Sequence, residues 1–108
     1  MELYGKSGML HTCYENGLYG EGITVTENIS GLCVSVKKTG GDIRSGSGKI
    51  YISAENPSVG RIATAGEYLG GNRVRYQNIT VDGFRYAVKS VKKIYRGSAL
   101  HHIEIDVG

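Results

Sequence analysis

Near the end of the chain, His102, Glu104 and Asp106 alternate with Ile103, Ile105 and Val107. In a strand, that alternation projects the three polar side chains from one face, and a His with two carboxylates is a donor set for a hard or borderline metal ion. The spacing argues against a shared ion, because residues two apart stand about 6.5–7 Å apart along a strand. No fourth ligand is evident, so a solvated polar face opposite an apolar one is the favoured reading. His101 falls in the phase of the apolar face and is expected as a satisfied core histidine. His11 lies two residues from Cys13, but Cys/His nucleophilic chemistry needs a third group to orient the base, and none is specified.

Two short runs imitate phosphate loops. Gly46-Ser47-Gly48-Lys49 and Tyr4-Gly5-Lys6-Ser7 each match a fragment of G-x-x-x-x-G-K-[ST], a motif whose amides cradle phosphates between a strand and a helix. Ile50 follows Lys49 where Ser or Thr is required, and Gly5 has too little chain ahead of it. Neither run leads into a helical pattern. Cys13 and Cys33 are too far apart for a CxxC redox pair and too few for a four-ligand zinc site. Two reduced thiols in or near the core are expected, with a disulfide as the other option. Taken together, these residues predict no enzyme, no cofactor and no metal.

Charge is distributed unevenly. The chain has a net charge of +3, but residues 1–35 hold Lys6 against Glu2, Glu15, Glu21 and Glu27, a net of −3. Residues 73–96 hold Arg73, Arg75, Arg85, Lys89, Lys92, Lys93 and Arg96 against Asp82 alone, a net of +6. Such complementary ends serve packing within one chain or head-to-tail contact between copies. The basic region also carries Tyr86 and Tyr95, and cations beside aromatics on a sheet are the equipment of a single-strand nucleic-acid binder. An ordinary solvated strand face is the plainer reading.

The elements that must position these groups are strands. One hundred and eight residues with 17 Gly, 8 Tyr and 1 Pro make about one β-rich, loop-rich domain. Residues 1–22, punctuated by Gly5, Gly8, Gly17, Gly20 and Gly22, read as a flexible Gly-rich arm with at most a short strand around Met9–Tyr14. Residues 23–108 read as a single β-domain. Ile23 and Val25 alternate with Thr24 and Thr26, and Leu32, Val34 and Val36 alternate with Cys33, Ser35 and Lys37, predicting two strands. Residues 37–49 read as a long mobile hairpin connection, and 58–72 as the place for a short helix. Arg73–Val81 and Phe84–Ile94 flank Asp82-Gly83, a strong hairpin signal. Phe84, Tyr86 and Val88 share one face, the phase changes at Ser90–Val91 as at a bulge, and Val74 and Tyr76 share a face opposite Arg73 and Arg75. Arg96-Gly97-Ser98 turns into a last strand. The expected fold is all-β: a small sandwich or partly open barrel of six to seven short antiparallel strands. No apolar run of a signal peptide or a membrane span is present in the sequence, so a cytoplasmic origin and no membrane contact are expected.

The segment from Tyr68 to Gly108 resembles the C-terminal half of small tailed-phage and prophage head-tail joining proteins of the virion neck, or connector. The matching elements are Asp82-Gly83, Tyr86-Ala87-Val88-Lys89-Ser90-Val91 and His102–Val107. The resemblance implies a virion structural protein made in a bacterial host, forming a homo-oligomeric ring between portal and tail proteins, with DNA passing through it. On that reading the partner-binding residues are Arg73, Arg75, Lys89, Lys92, Lys93 and Arg96 against Glu15 and Glu21, with Lys37, Lys38 and Arg44 in the 37–49 loop. The alternative is a small β-barrel nucleic-acid module using the basic 73–96 region with Tyr86 and Tyr95.

Overall fold

The computed structural model describes residues 5–15, 22–38 and 46–108. It is built from β1 (Lys6–Glu15), β2 (Gly22–Lys38), β3 (Gly46–Ser53), β4 (Tyr68–Leu69), β5 (Asn72–Val81), β6 (Phe84–Arg96) and β7 (Ala99–Val107). The strands pair antiparallel in the circuit β1-β2-β3-β7-β6-β5, and β5 returns to β1. Six strands therefore close into a barrel, and β4 adds to β5 as a short extra strand. The all-β expectation holds, as a closed barrel. Its interior is filled by Leu10, Leu32, Ile50, Ile52, Ile79, Ile103 and Ile105, all essentially buried, as a barrel this small requires.

The flexible arm expected over 1–22 is corrected for most of its described length. Lys6–Glu15 is a strand paired on both sides, with Met9–Tyr14 bonded to β2 and to β5. Gly8 is there because of crowding: a Cβ at that position would stand 2.3 Å from the Thr80 carbonyl oxygen. Glycine in a strand often marks such a close approach of backbone, so Gly8 belongs to a strand and not to an arm. Residues 1–4 and 16–21 lie outside the described residues.

The two strands expected at 22–28 and 32–37 are one strand, β2, bent at Gly31. Gly31 has φ +70°, and a side chain there would meet Asn56 Nδ2 at 2.7 Å; that amide donates to the Ser30 carbonyl. At this bend β2 leaves β1 and takes up β3, with Leu32 opposite both Lys6 and Ile52. The 37–49 connection is shorter than expected, because Lys37 and Lys38 pair with Ser47 and Gly46. Residues 39–45 lie outside the described residues.

The C-terminal hairpins follow the sequence closely. Asp82 and Gly83 have φ +52° and +82°, the double positive φ of a type I′ turn, and Val81 faces Phe84 across it. Between Val88 and Ser90 the register slips, at the expected change of phase. Of the three other slips, two change which side chains face inward where the alternation gives no sign of it. One, opposite Cys13–Tyr14, makes Arg75 an extra residue, so Val74 is buried, Tyr76 turns to solvent and Gln77 turns inward. The second, between Ile94 and Tyr95, makes His101 the extra residue. Leu100 takes the inward place, and His101 is exposed rather than in the core. A bulge inverts the alternation beyond it, so a period-2 reading carried across one places every later side chain wrongly.

The helix expected in 58–72 is a single 3-10 turn, Pro57–Arg61, whose first amides are capped by the Asn56 side chain accepting from Ser58 N. The segment from this turn to β4 seals the barrel where β5 and β6 part, since they pair only through 78–81 and 84–87. Gln77 anchors it. Its side-chain oxygen accepts from Ala63 N at 2.9 Å, and its amide nitrogen donates to Thr12 Oγ1 at 3.0 Å and to the Arg61 carbonyl at 2.7 Å. Replacing Gln77 by Ala or Leu strands those buried partners, each costing about 1–3 kcal/mol. Urea unfolding should show a loss of about 3 kcal/mol, with faster amide exchange at Ala63 than in the native chain.

Candidate assembly surfaces

The basic residues of 73–96 do not share a face. Arg73 Nη1 donates to Glu15 Oε2 at 3.3 Å, both exposed. Arg75 projects from its bulge close to Gly22. Lys92 stands across from Glu104. Lys93 lies at a cavity of about 290 Å³ beside Val91, Ile62 and Glu67, where it adds to the hydrogen bonds from Thr64 that hold the Glu67 carboxyl below its usual range. Lys89 sits beside Gly108, and Arg96 is at the β6–β7 turn, exposed. Among the described residues neither Lys89 nor Arg96 is ion-paired. Tyr95 is 57 % exposed, whereas Tyr86 is 4 % exposed and burial pushes its phenol up. A stacking role for Tyr86 is therefore corrected: its ring is part of the core. Glu21 and Arg44 fall outside the described residues, and Lys37 and Lys38 are placed only as strand residues.

The polar strip of β7 is satisfied by the chain itself. Lys49 of β3 donates to Glu104 Oε1 and lies 3.3 Å from Asp106 Oδ1. Its ammonium thus occupies the position between the carboxylates that a bound cation would need. Ser90 Oγ donates to Asp106 Oδ2 at 2.9 Å. That bond first, and Lys49 second, hold the Asp106 carboxyl below its ordinary range, while the two carboxylates raise Lys49. The His102 ring packs against Tyr51 and His101. Among the described residues no cluster of three or more His, Cys, Asp and Glu comes together to hold a metal.

The other sequence candidates resolve in the same way. His11 bonds through Nδ1 to Thr26 Oγ1 and through Nε2 to Thr80 Oγ1, tying β1 to both its neighbours. Cys13 and Cys33 are free thiols, and Cys13 is buried. Gly48-Lys49 lies within β3 and Lys6 within β1, where Lys6 pairs with Asp82 at 2.9 Å, so neither forms a phosphate loop before a helix. A shallow cavity of about 550 Å³ adjoins the Asp82–Gly83 turn and Phe84; its one side-chain carboxylate is this same Asp82.

What sequence reasoning missed is a pair of open strand edges. β2 is 17 residues long against 10 for β1 and 8 for β3. Its first half pairs with β1 alone, because β3 takes it up only from Leu32. Gly22–Thr26 is exposed throughout, with Ile23 52 % and Val25 38 % exposed. Likewise β6 beyond Val88 pairs with β7 alone. Among the described residues no backbone bond reaches either edge from the other side. The Ile-Thr-Val-Thr alternation marks a strand but not an edge. Which strands end early is decided by the pairing.

Comparison with family models, with curated proteins and with solved structures finds no match to this chain.

The Asp106 site makes a pH prediction. A carboxyl whose folded pKa is depressed contributes stability above its unfolded value, about 3.9 for Asp, and that contribution is lost as pH falls through the folded value. Asp106→Asn should remove this part of the acid-side slope in thermal melts. Ser90→Ala should move the Asp106 titration, followed by NMR, upward toward the ordinary value. An unmoved titration would mean that the Ser90 bond is not the main cause.

Proposed function

We propose that this chain is a non-catalytic structural protein that assembles with copies of itself into a ring, as a component of a tailed-phage head-tail connector. The observation that carries the reading is the presence of two open strand edges of unlike character on an otherwise closed barrel. A ring joins each copy head to tail and so needs two different surfaces per subunit. The resemblance of residues 68–108 to head-tail joining proteins supplies the setting, with portal and tail proteins as the layers above and below. The side chains that had suggested chemistry are engaged with one another: Lys49 with Glu104 and Asp106, and His11 with Thr26 and Thr80.

The nucleic-acid reading is weakened by the same geometry. It needs a continuous face of charges and rings, yet Tyr86 is buried, Arg73 is engaged by Glu15, and Lys92 faces Glu104.

Two measurements test the proposal. Native mass spectrometry and sedimentation should find a closed oligomer that weakens as salt rises; a monomer at every concentration would overturn it. Titration of labelled single- and double-stranded oligonucleotides should find only weak binding that vanishes by about 0.15 M salt, as non-specific phosphate contact does. Tight binding with a strand preference would instead establish the nucleic-acid module.

A further inference from the structure

We infer that the open edge of β2 at Gly22–Asn28 takes the open edge of β6 at Lys89–Arg96 from a second copy, so that the sheet runs on from one subunit into the next. The inference deepens the ring reading above and rests on it.

An edge strand presents N–H and C=O groups from alternate residues with no partner, which makes it a template for another strand. Proteins that remain single guard such edges with lysines, prolines, bulges or inward-pointing charges. The β6 edge is guarded: it carries Lys89, Lys92, Lys93 and Arg96, and a bulge opens it between Val88 and Ser90. The β2 edge is not. Between Gly22 and Glu27 it reads Ile-Thr-Val-Thr, four β-branched residues without charge or proline, and all four are exposed. One chain thus holds an edge that invites pairing and an edge that resists its own kind.

Charge sets β6 against pairing with its own kind. The described edge, Gly22–Asn28, holds no base and one acid, Glu27, which Arg61 engages. Residues 88–96 hold four bases and no acid. Pairing β6 with β6 brings four bases against four, whereas the β2 edge meets them with no like charge. The open lengths also match, seven residues at 22–28 and eight at 89–96. Such pairing is head to tail, and its repetition closes a ring if the rotation permits.

The test uses one variant per edge. Val25→Lys places a charge on the exposed β2 edge. Lys89→Glu with Arg96→Glu reverses two charges on the β6 edge that are not ion-paired among the described residues. Circular dichroism and thermal melts first establish that both variants fold. Each alone should assemble at least about tenfold more weakly, the effect of losing roughly 1.4 kcal/mol at an interface. Mixed together, the Val25→Lys variant still offers β6 and the double variant still offers β2, so the pair should form one-to-one dimers and nothing larger. Amide exchange at 22–28 should slow in the assembled native protein and not in the Val25→Lys variant.

If the native protein forms rings and Val25→Lys forms them equally well, the ring reading stands and this pairing is overturned. A double variant that dimerises alone through β2 also overturns it, in favour of like pairing. A native protein that never assembles removes both.

Discussion

The return of β5 to β1 is the contact on which the rest of this fold depends. Without it the six strands would be an open sheet with β1 at one edge; with it β1 is bonded on both sides and Leu10 and Thr12 lie inside. The closure has a steric requirement at Gly8, where the Thr80 carbonyl leaves no space for a Cβ. His11 then spans the seam, accepting or donating at Thr26 on one side and Thr80 on the other. A barrel of six strands has no interior to spare for a ligand, so closure also explains why the inner surface is aliphatic and the polar chemistry lies outside.

Closure is complete around the middle of the barrel but not along its whole length. β3 is shorter than β2, and β5 parts from β6 after four residue pairs. The segment from Pro57 to β4 fills the second of these gaps through Gln77, whose bonds to Ala63 N and the Arg61 carbonyl satisfy backbone that would otherwise be without partners, while a third bond reaches Thr12 Oγ1. Glu67 O and Val74 N continue that seal alongside β5. Among the described residues, the segment makes no backbone bond to the outer halves of β2 and β6. The assembly surfaces proposed for this protein are therefore a by-product of unequal strand lengths, sharpened by the side chains each edge carries.

The surface ion pairs act in a different way. Arg73–Glu15, Lys6–Asp82 and Lys49 with Glu104 and Asp106 link strands far apart in sequence. Apart from Glu104, their side chains are substantially solvated, and pairs of that kind contribute little to stability. Arg61 holds Glu27 with a guanidinium fork at 3.1–3.3 Å, tying the sealing segment to β2. Their effect is to draw the acidic and basic parts of the chain into local register, leaving Lys89 and Arg96 at the far edge as charge available to a partner.

The sequence by itself determined the strand class, the Asp82-Gly83 and Gly97 turns, the aliphatic face of β7 and the placing of His102, Glu104 and Asp106 on the opposite face. Each depends on neighbours within a few residues, through turn conformation or period-2 alternation. It also carried the charge split and the bulge after Val88, because a change of phase is itself local. Only the tertiary structure decided that Lys6–Glu15 is a barrel strand, that Arg75 and His101 are bulges, that Tyr86 is core, and that β2 and β6 each keep an open side. Those outcomes turn on which distant strand lies alongside and where it stops. Gly8 reads as part of an arm until the Thr80 carbonyl is beside it, and Ile23 and Val25 read only as one strand face until β3 is found to end before reaching them.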